Sequence, residues 1–301
     1  MDLRRQLRVV TPIAWLIGTV FLVVFWGVPT KHDLIFLWLG AGMAAFSWEV
    51  SRVVRDWLPL IAIIFVYDLL RGFADGLVFS AHESPQIRVE RALFGTPVPT
   101  VRLQQHFWHG ANHLHWWDYA AWFLHLTHFF LTFIALAVIW VFAREQFSRY
   151  AAMVCVLALT GFATYVLYPA VPPWMAAQHG NLGESNRIVA LVWHHLPITS
   201  GGAIFEHGKG YANDVAAIPS LHTAFAVLFS LYVWRLVPRY VRPVLAIYPV
   251  AMSVALVYLG EHYVVDCILG WIYAIFAFVS VNWAFELRAR RALRLEPAPA
   301  D

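Results

Sequence analysis

The sequence predicts an all-α polytopic membrane bundle of about eight transmembrane helices. Three observations carry that prediction. Hydrophobic residues make up 60% of the 301 positions and charged ones 13%, against roughly 45–50% and about 25% in soluble domains. Mean hydropathy is +0.62. Long apolar runs recur along the chain, separated by short Arg-bearing connections. So few charges cannot cover that much apolar surface in water, which excludes a soluble enzyme. The two cysteines, Cys155 and Cys267, lie inside apolar runs, so neither a disulfide framework nor a CxxC zinc pattern is available.

Each crossing needs about 20 mostly apolar residues. The runs fall at 11–29, 34–50, 57–72, 119–142, 150–169, 218–236, 243–260 and 262–284. The first follows Arg4, Arg5 and Arg8, as in a signal peptide. Trp26-Gly27-Val28-Pro29 offers no small-residue cleavage site, so a retained anchor is expected. The third is short and carries Asp68. Two N-terminal helices over 1–56 thus precede a six-helix core over 57–287 and a basic tail over 288–301. The end of that tail, from Glu296 to Asp301, has a low-complexity composition typical of disorder. Trp48, Trp57, Trp140, Trp234 and Trp283 fall near helix ends, as an aromatic belt requires.

Basic residues set the orientation. Arg4, Arg5, Arg8, Arg52, Arg55, Arg144, Arg149, Arg235, Arg239, Arg242, Arg288, Arg290, Arg291 and Arg294 all fall on one side, in short connections and tails. The other side holds Lys31, Arg71, Arg88, Arg91, Arg102, Arg187 and Lys209, spread over longer loops. The positive-inside rule puts both termini in the cytoplasm and the loops at about 73–118 and 170–217 outside. A cell-membrane protein is expected. The net charge of +3 is small, and no nucleic-acid partner is expected.

Ionisable groups near membrane helices are candidates for function. The sixth run opens with Ile218-Pro219-Ser220-Leu221-His222-Thr223 and the eighth with Gly260-Glu261-His262-Tyr263-Val264-Val265-Asp266. Pro219 suits the first position of a helix, whose free N–H groups and dipole form an anion site. His262 and Asp266, four apart, share a helix face. Asp266 would accept from one imidazole nitrogen and leave the other free to attack. The topology puts His222 at the same membrane face. With a phosphate between them, one histidine would attack phosphorus and the other protonate the leaving oxygen.

Pro219-Ser220-Leu221-His222 followed by His262-Tyr263-Val264-Val265-Asp266 resembles the type 2 phosphatidic-acid phosphatase superfamily, metal-independent membrane enzymes that work through a phosphohistidine. The resemblance implies His262 as nucleophile, Asp266 as its orienting partner and His222 as general acid, with Ser220 and Tyr263 at the phosphate and no metal or other cofactor. Tyr168-Pro169-Ala170-Val171-Pro172-Pro173-Trp174 is similar to a segment of one bacterial branch. The motifs cover roughly 165–275. Phosphatases of the superfamily carry Ser-Arg seven and six residues before the nucleophile, where this chain has Ala255 and Leu256; the Lys-x6-Arg-Pro motif is also missing. In this the chain is similar to the branch of inositol phosphorylceramide synthase and sphingomyelin synthase, which moves a phospho-alcohol head group between lipids. Expected partners are a phospholipid or polyprenyl phosphate and a lipid or sugar-alcohol acceptor.

Some cation must still neutralise the transferring phosphorus. Lys209, 13 residues before His222, is one candidate; a solvated loop lysine is the plain alternative. Arg71 either binds phosphate or pairs with Asp68, and Arg187 is a third candidate. Asp214 is close enough in sequence to His222 to bind a polar head group, whereas Glu184 and Glu206 read as loop carboxylates. His106, His109, His113 and His115, then His125 and His128 entering the fourth run, form a histidine cluster that could bind zinc; interleaved with Phe107, Trp108, Trp116 and Trp117, it reads as a segment at headgroup depth instead. Asp118 and His128 would line the cavity where the fourth run enters the membrane. Three functions compete: head-group transfer, lipid phosphate hydrolysis, and non-enzymatic lipid transport. Nearly uncharged helix centres, with polar groups gathered at one face, disfavour the transporter.

Overall fold

The computed structural model describes residues 3–26, 38, 40–42, 45, 54–63, 80–196 and 213–295. Most of the run 34–50, the second half of 57–72 and the tail 296–301 lie outside them, as do Asp68, Arg71, Trp48, Glu206 and Lys209. Every regular element among the described residues is a helix. Their only β-type pairings are isolated bridges between His82 and Ala170 and between Ala170 and Ala216.

In chain order the helices are α1 (Leu3–Trp26), a helical stretch over 54–63, α2 (Ser84–Phe94), α3 (Pro99–Phe107), α4 (Trp116–Phe142), α5 (Arg144–Leu167), α6 (Pro173–Gln178), α7 (Ile188–His195), α8 (Leu221–Val233), α9 (Arg242–Tyr258) and α10 (Val264–Leu295). Among the described residues three segments are long and apolar enough to cross a membrane: Arg144–Leu167, Arg239–Tyr258 and Val264–Ala292. The two halves of α4, bent by 47°, make a fourth if they form one span. The full expected set of eight is therefore not found among these residues. One reason is α8. The run 218–236 predicts a full crossing, but the helix has 13 residues, about 20 Å at 1.5 Å each. Pro219 lies ahead of it instead of at its first position. Ser220 is the N-cap, its hydroxyl accepting from the Thr223 N–H at 3.3 Å.

The main core lies among α4, α5, α8 and α10, where Leu136, Tyr150, Met153, Leu157, Leu228, Ala274 and Ala277 are buried. Trp57 and Trp140 belong to it too, at 1% and 4% exposure, so they are packing residues and not part of a belt. Trp140 donates its indole N–H to Asp56, which Arg144 also grips. Trp283, at 63% exposure, does face outward. The described parts of the two segments expected as outer loops, 80–118 and 170–196, carry short helices. Pro85, Pro99 and Pro173 each sit in the first turn of a short helix, where proline's missing N–H leaves no partner unserved. From α2, α3 and the segment around α6, Ile87, Val98, Val101, Val171, Ala176 and Leu182 close a second apolar cluster with Tyr263 and Val265 at the head of α10. This cap lies over the N-terminal end of α10, and the site forms beneath it.

Candidate active site

The helix starts that carry the two motif histidines are held against each other by backbone. The Ser220 N–H donates to Asp266 O at 3.0 Å, and the Tyr165 hydroxyl donates to Pro219 O at 2.8 Å. Gly270, one turn along α10, permits this approach: a Cβ there would collide with the Ser220 carbonyl. A tight turn precedes α10. Gly260 adopts φ +79°, and a Cβ on it would lie 2.6 Å from Asn186 O; only glycine accepts both conditions. Gln104, buried in α3, ties the turn down, donating to Tyr258 O and Asn186 O and accepting from the Asn186 N–H.

From this frame His222 and His262 face each other, with His222 Nδ1 3.2 Å from His262 Nε2. His262 Nδ1 lies 2.9 Å from Ala217 O. A carbonyl only accepts, so Nδ1 carries the proton and the Nε2 lone pair points at His222. Asp266, fully buried, is 3.7 Å from Nδ1, an ion-pair separation. The expected hydrogen bond from Nδ1 thus goes to Ala217, while Asp266 Oδ2 accepts the Tyr263 N–H at 2.8 Å. The reason is local: Asp266 sits in the first turn of α10 and folds back onto its free amides.

Two more imidazoles close on His222 from α4, His128 with ring centroids 4.4 Å apart and His125 at 4.8 Å. The site also has a described cation. Arg187 donates to both Glu261 oxygens, at 2.9 and 3.4 Å, lies 3.6 Å from Asp214, and stacks its guanidinium 4.4 Å over the Trp174 ring. Burial pushes the Glu261 carboxyl up, but Arg187, His125 and His262 together outweigh it, and the group is held below the usual glutamate range. Glu261 thus stays an anion that fixes Arg187 one residue from His262.

Of the residues singled out in the sequence, His222, His262, Asp266, Ser220, Arg187 and Asp214 belong to this assembly. Ser220 acts there as a buried helix cap. The Tyr263 side chain is turned into the cap cluster, fully buried, and contributes its backbone amide. His128 reaches the site, whereas Asp118 is a fastener, accepting from the His115 N–H at 2.7 Å and from the Tyr258 hydroxyl. Ala255 and Leu256 are core residues, the latter fully buried beside Met252. Glu261, Gln104 and Glu90 have no role in the sequence reading, and His125 enters it only as one of a run of histidines, not as a neighbour of His222. Glu90 Oε1 accepts the Val265 N–H at 2.8 Å. Only the place of Glu261 beside His262 was a usable signal.

A family model described as PAP2 superfamily matches residues 87–280, more than half of the chain and all of this assembly. Over 135 residues, 42% of this chain, the sequence is 31% identical to the phosphoinositol dihydroceramide synthase of Bacteroides thetaiotaomicron. The match covers 43% of that relative, so the chain spans less than half of its length. No solved structure matches the chain.

Proposed function

This chain belongs to the PAP2 superfamily, and on that premise we propose that it is a membrane enzyme transferring a phospho-head group from a phospholipid to a lipid or sugar-alcohol hydroxyl at the outer membrane face. The observation that carries the proposal is the pairing of His222 Nδ1 and His262 Nε2 at 3.2 Å, with His262 Nδ1 turned to Ala217 O. A nucleophile whose second nitrogen is fixed by a carbonyl presents its lone pair in one direction.

In the proposed cycle His262 Nε2 attacks the phosphorus of a phosphodiester, and the bond from phosphorus to the diacylglycerol oxygen breaks. Protonated His222 gives that oxygen its proton. His222, now neutral, takes the proton from the acceptor hydroxyl, whose oxygen attacks phosphorus; the P–N bond breaks and His262 is regenerated. Admitting phosphorus requires the rings to part, by rotation of His222, the less buried of the two. The first-turn amides and dipole of α8 favour the anion, whereas those at the start of α10 are taken by Asp266 and Glu90. Transfer over hydrolysis is supported by Ala255 and Leu256, which supply no phosphate-holding cation, and by the relative named a phosphoinositol dihydroceramide synthase. An inositol phosphate head group and a ceramide-type acceptor are the first pair to test.

The test uses purified protein in lipid nanodiscs with phosphatidylinositol, phosphatidic acid or polyprenyl diphosphate as donor, with and without dihydroceramide, alongside His262→Ala. Diacylglycerol plus a new phosphodiester lipid, with no free phosphate, is the expected result. Free phosphate that disappears in His262→Ala identifies a phosphatase instead. Identical wild-type and variant behaviour with every donor rejects the enzyme.

Arg187 is proposed as the cation that holds the transferring phosphoryl group. Arg187→Gln is expected to lower kcat by about 10²-fold, the usual loss when one preorganised charge donor is removed. Arg187→Lys should recover part of it, because a lysine restores charge without the fork that Glu261 holds. Unchanged turnover in Arg187→Gln removes this residue from the site.

A further inference from the structure

Glu90 lies where two segments far apart in sequence meet. It is fully buried on α2, and its Oε1 accepts the Val265 N–H at 2.8 Å, across 175 positions of chain. That amide belongs to the first turn of α10. Asp266 takes a second amide of the same region, the Tyr263 N–H. Each carboxyl keeps one buried oxygen without a hydrogen-bond partner, Glu90 Oε2 and Asp266 Oδ1. Two acids therefore claim one helix start, and one of them lies 3.7 Å from His262. Capping an amide requires only an oxygen; a second carboxyl beside Asp266 adds a charge that capping does not require.

We propose that Glu90 is a positioning residue of the site: it grips the first turn of α10 and, sharing that turn with Asp266, sets the charge that stands behind His262. The inference rests on the reading of His262 as nucleophile. Burial pushes the Glu90 carboxyl up to about 7, the amides of Val265 and Val264 pull it down, and the Asp266 charge pushes it up further. The other titratable or charged groups around this turn are Cys267 on α10, Tyr263 ahead of it, and Glu83 and Arg91 on the α2 side. Below about 7 Glu90 keeps its proton and adds no charge to the turn it shares with Asp266. As pH rises through about 7 Glu90 ionises, and the added anion at the helix start opposes the negative charge that builds on the phosphoryl group during transfer.

The sign for stability follows. The folded chain holds this proton up to about 7, whereas an unfolded one releases it near the ordinary glutamate value of 4.5. Stability therefore falls as pH rises through that window, and the loss is complete above it. Glu90→Gln keeps an oxygen for the Val265 N–H and removes the titration.

The experiment measures thermal unfolding and donor turnover in nanodiscs from about pH 5.5 to about pH 8.5. The proteins are wild type, Glu90→Gln, Asp266→Asn and the double variant. Three results are expected. The melting advantage of Glu90→Gln grows with pH by about 3 °C or more. It shrinks in the Asp266→Asn background. An ionisation near 7 in the wild-type kcat profile vanishes in Glu90→Gln while the donor KM stays within about twofold. Melts of Glu90→Gln that track wild type at every pH overturn the shared charge, whatever the protein catalyses. Melts that shift while the kcat profile does not reduce Glu90 to a structural cap and overturn its positioning role. If His262→Ala turns over like wild type, the reading of the nucleophile fails separately, and the melts still decide the charge sharing.

Discussion

His262→Ala is expected to reduce turnover to background, a loss of about 10⁶-fold of the kind that follows removal of a nucleophile from a working assembly. The fold should survive. The imidazole hydrogen-bonds Ala217 O and faces His222 and Asp266, and leaving the buried carbonyl without a donor costs about 1–3 kcal/mol. The measurement is product formation in nanodiscs beside a thermal melt, together with acid-labile labelling of the protein by a donor carrying radioactive phosphorus. Wild type should retain the label when the acceptor is withheld, His262→Ala should not, and His222→Ala should label slowly because the leaving oxygen lacks its acid. Labelling of His262→Ala at the wild-type rate would place the nucleophile elsewhere.

Gly270→Ala is expected to be the most damaging change outside the histidines. Its methyl has no flexible side chain to displace; it meets the Ser220 carbonyl, and beyond it the Ala224 amide at 3.3 Å. Overpacking of a rigid contact costs about 1–3 kcal/mol. The kinetic effect should be larger, because α8 must move off α10, and His222 rides on the first turn of α8. A displacement of about 1 Å between reacting groups lowers rate by about 10²-fold. Ile272, 53% exposed on the outer face of the same helix, is the control: Ile272→Ala should retain both activity and fold. Equal activity in Gly270→Ala and wild type would show that the helix starts tolerate separation.

The same contact explains what could and could not be read from residues alone. The apolar runs located α5, α9 and α10, and the two short motifs located His222, His262 and Asp266, because helix periodicity and capping are local properties of the chain. Glu90 and Val265, or Gln104 and Tyr258, meet through tertiary packing over 175 and 154 positions, and no local pattern encodes such a meeting. The cap helices fall between these cases. Their prolines and the stop at Gly95, with φ +80°, are legible start and end signals, but their polar composition reads as loop when only hydropathy is followed. Trp57 and Trp140 sit near helix ends in sequence yet pack inward against Phe147 and Asp56. Arg187 is only one of three candidate cations in the sequence, because the carboxylate that fixes it, Glu261, arrives 74 positions later.

The folded cap has a consequence for how reactants are counted. With His262 only 4% exposed beneath the cap, water and dissolved esters have little access, and the lipid donor proposed above is expected to arrive by lateral diffusion within the bilayer. The quantity that sets the encounter rate is then two-dimensional: mole fraction in the bilayer, not molarity in the bulk. Diluting a donor with inert phospholipid at constant total donor should slow turnover in proportion, while diluting the whole suspension with buffer should leave the turnover per protein unchanged. A rate that instead follows bulk concentration would mean that the cap opens to solvent during the cycle.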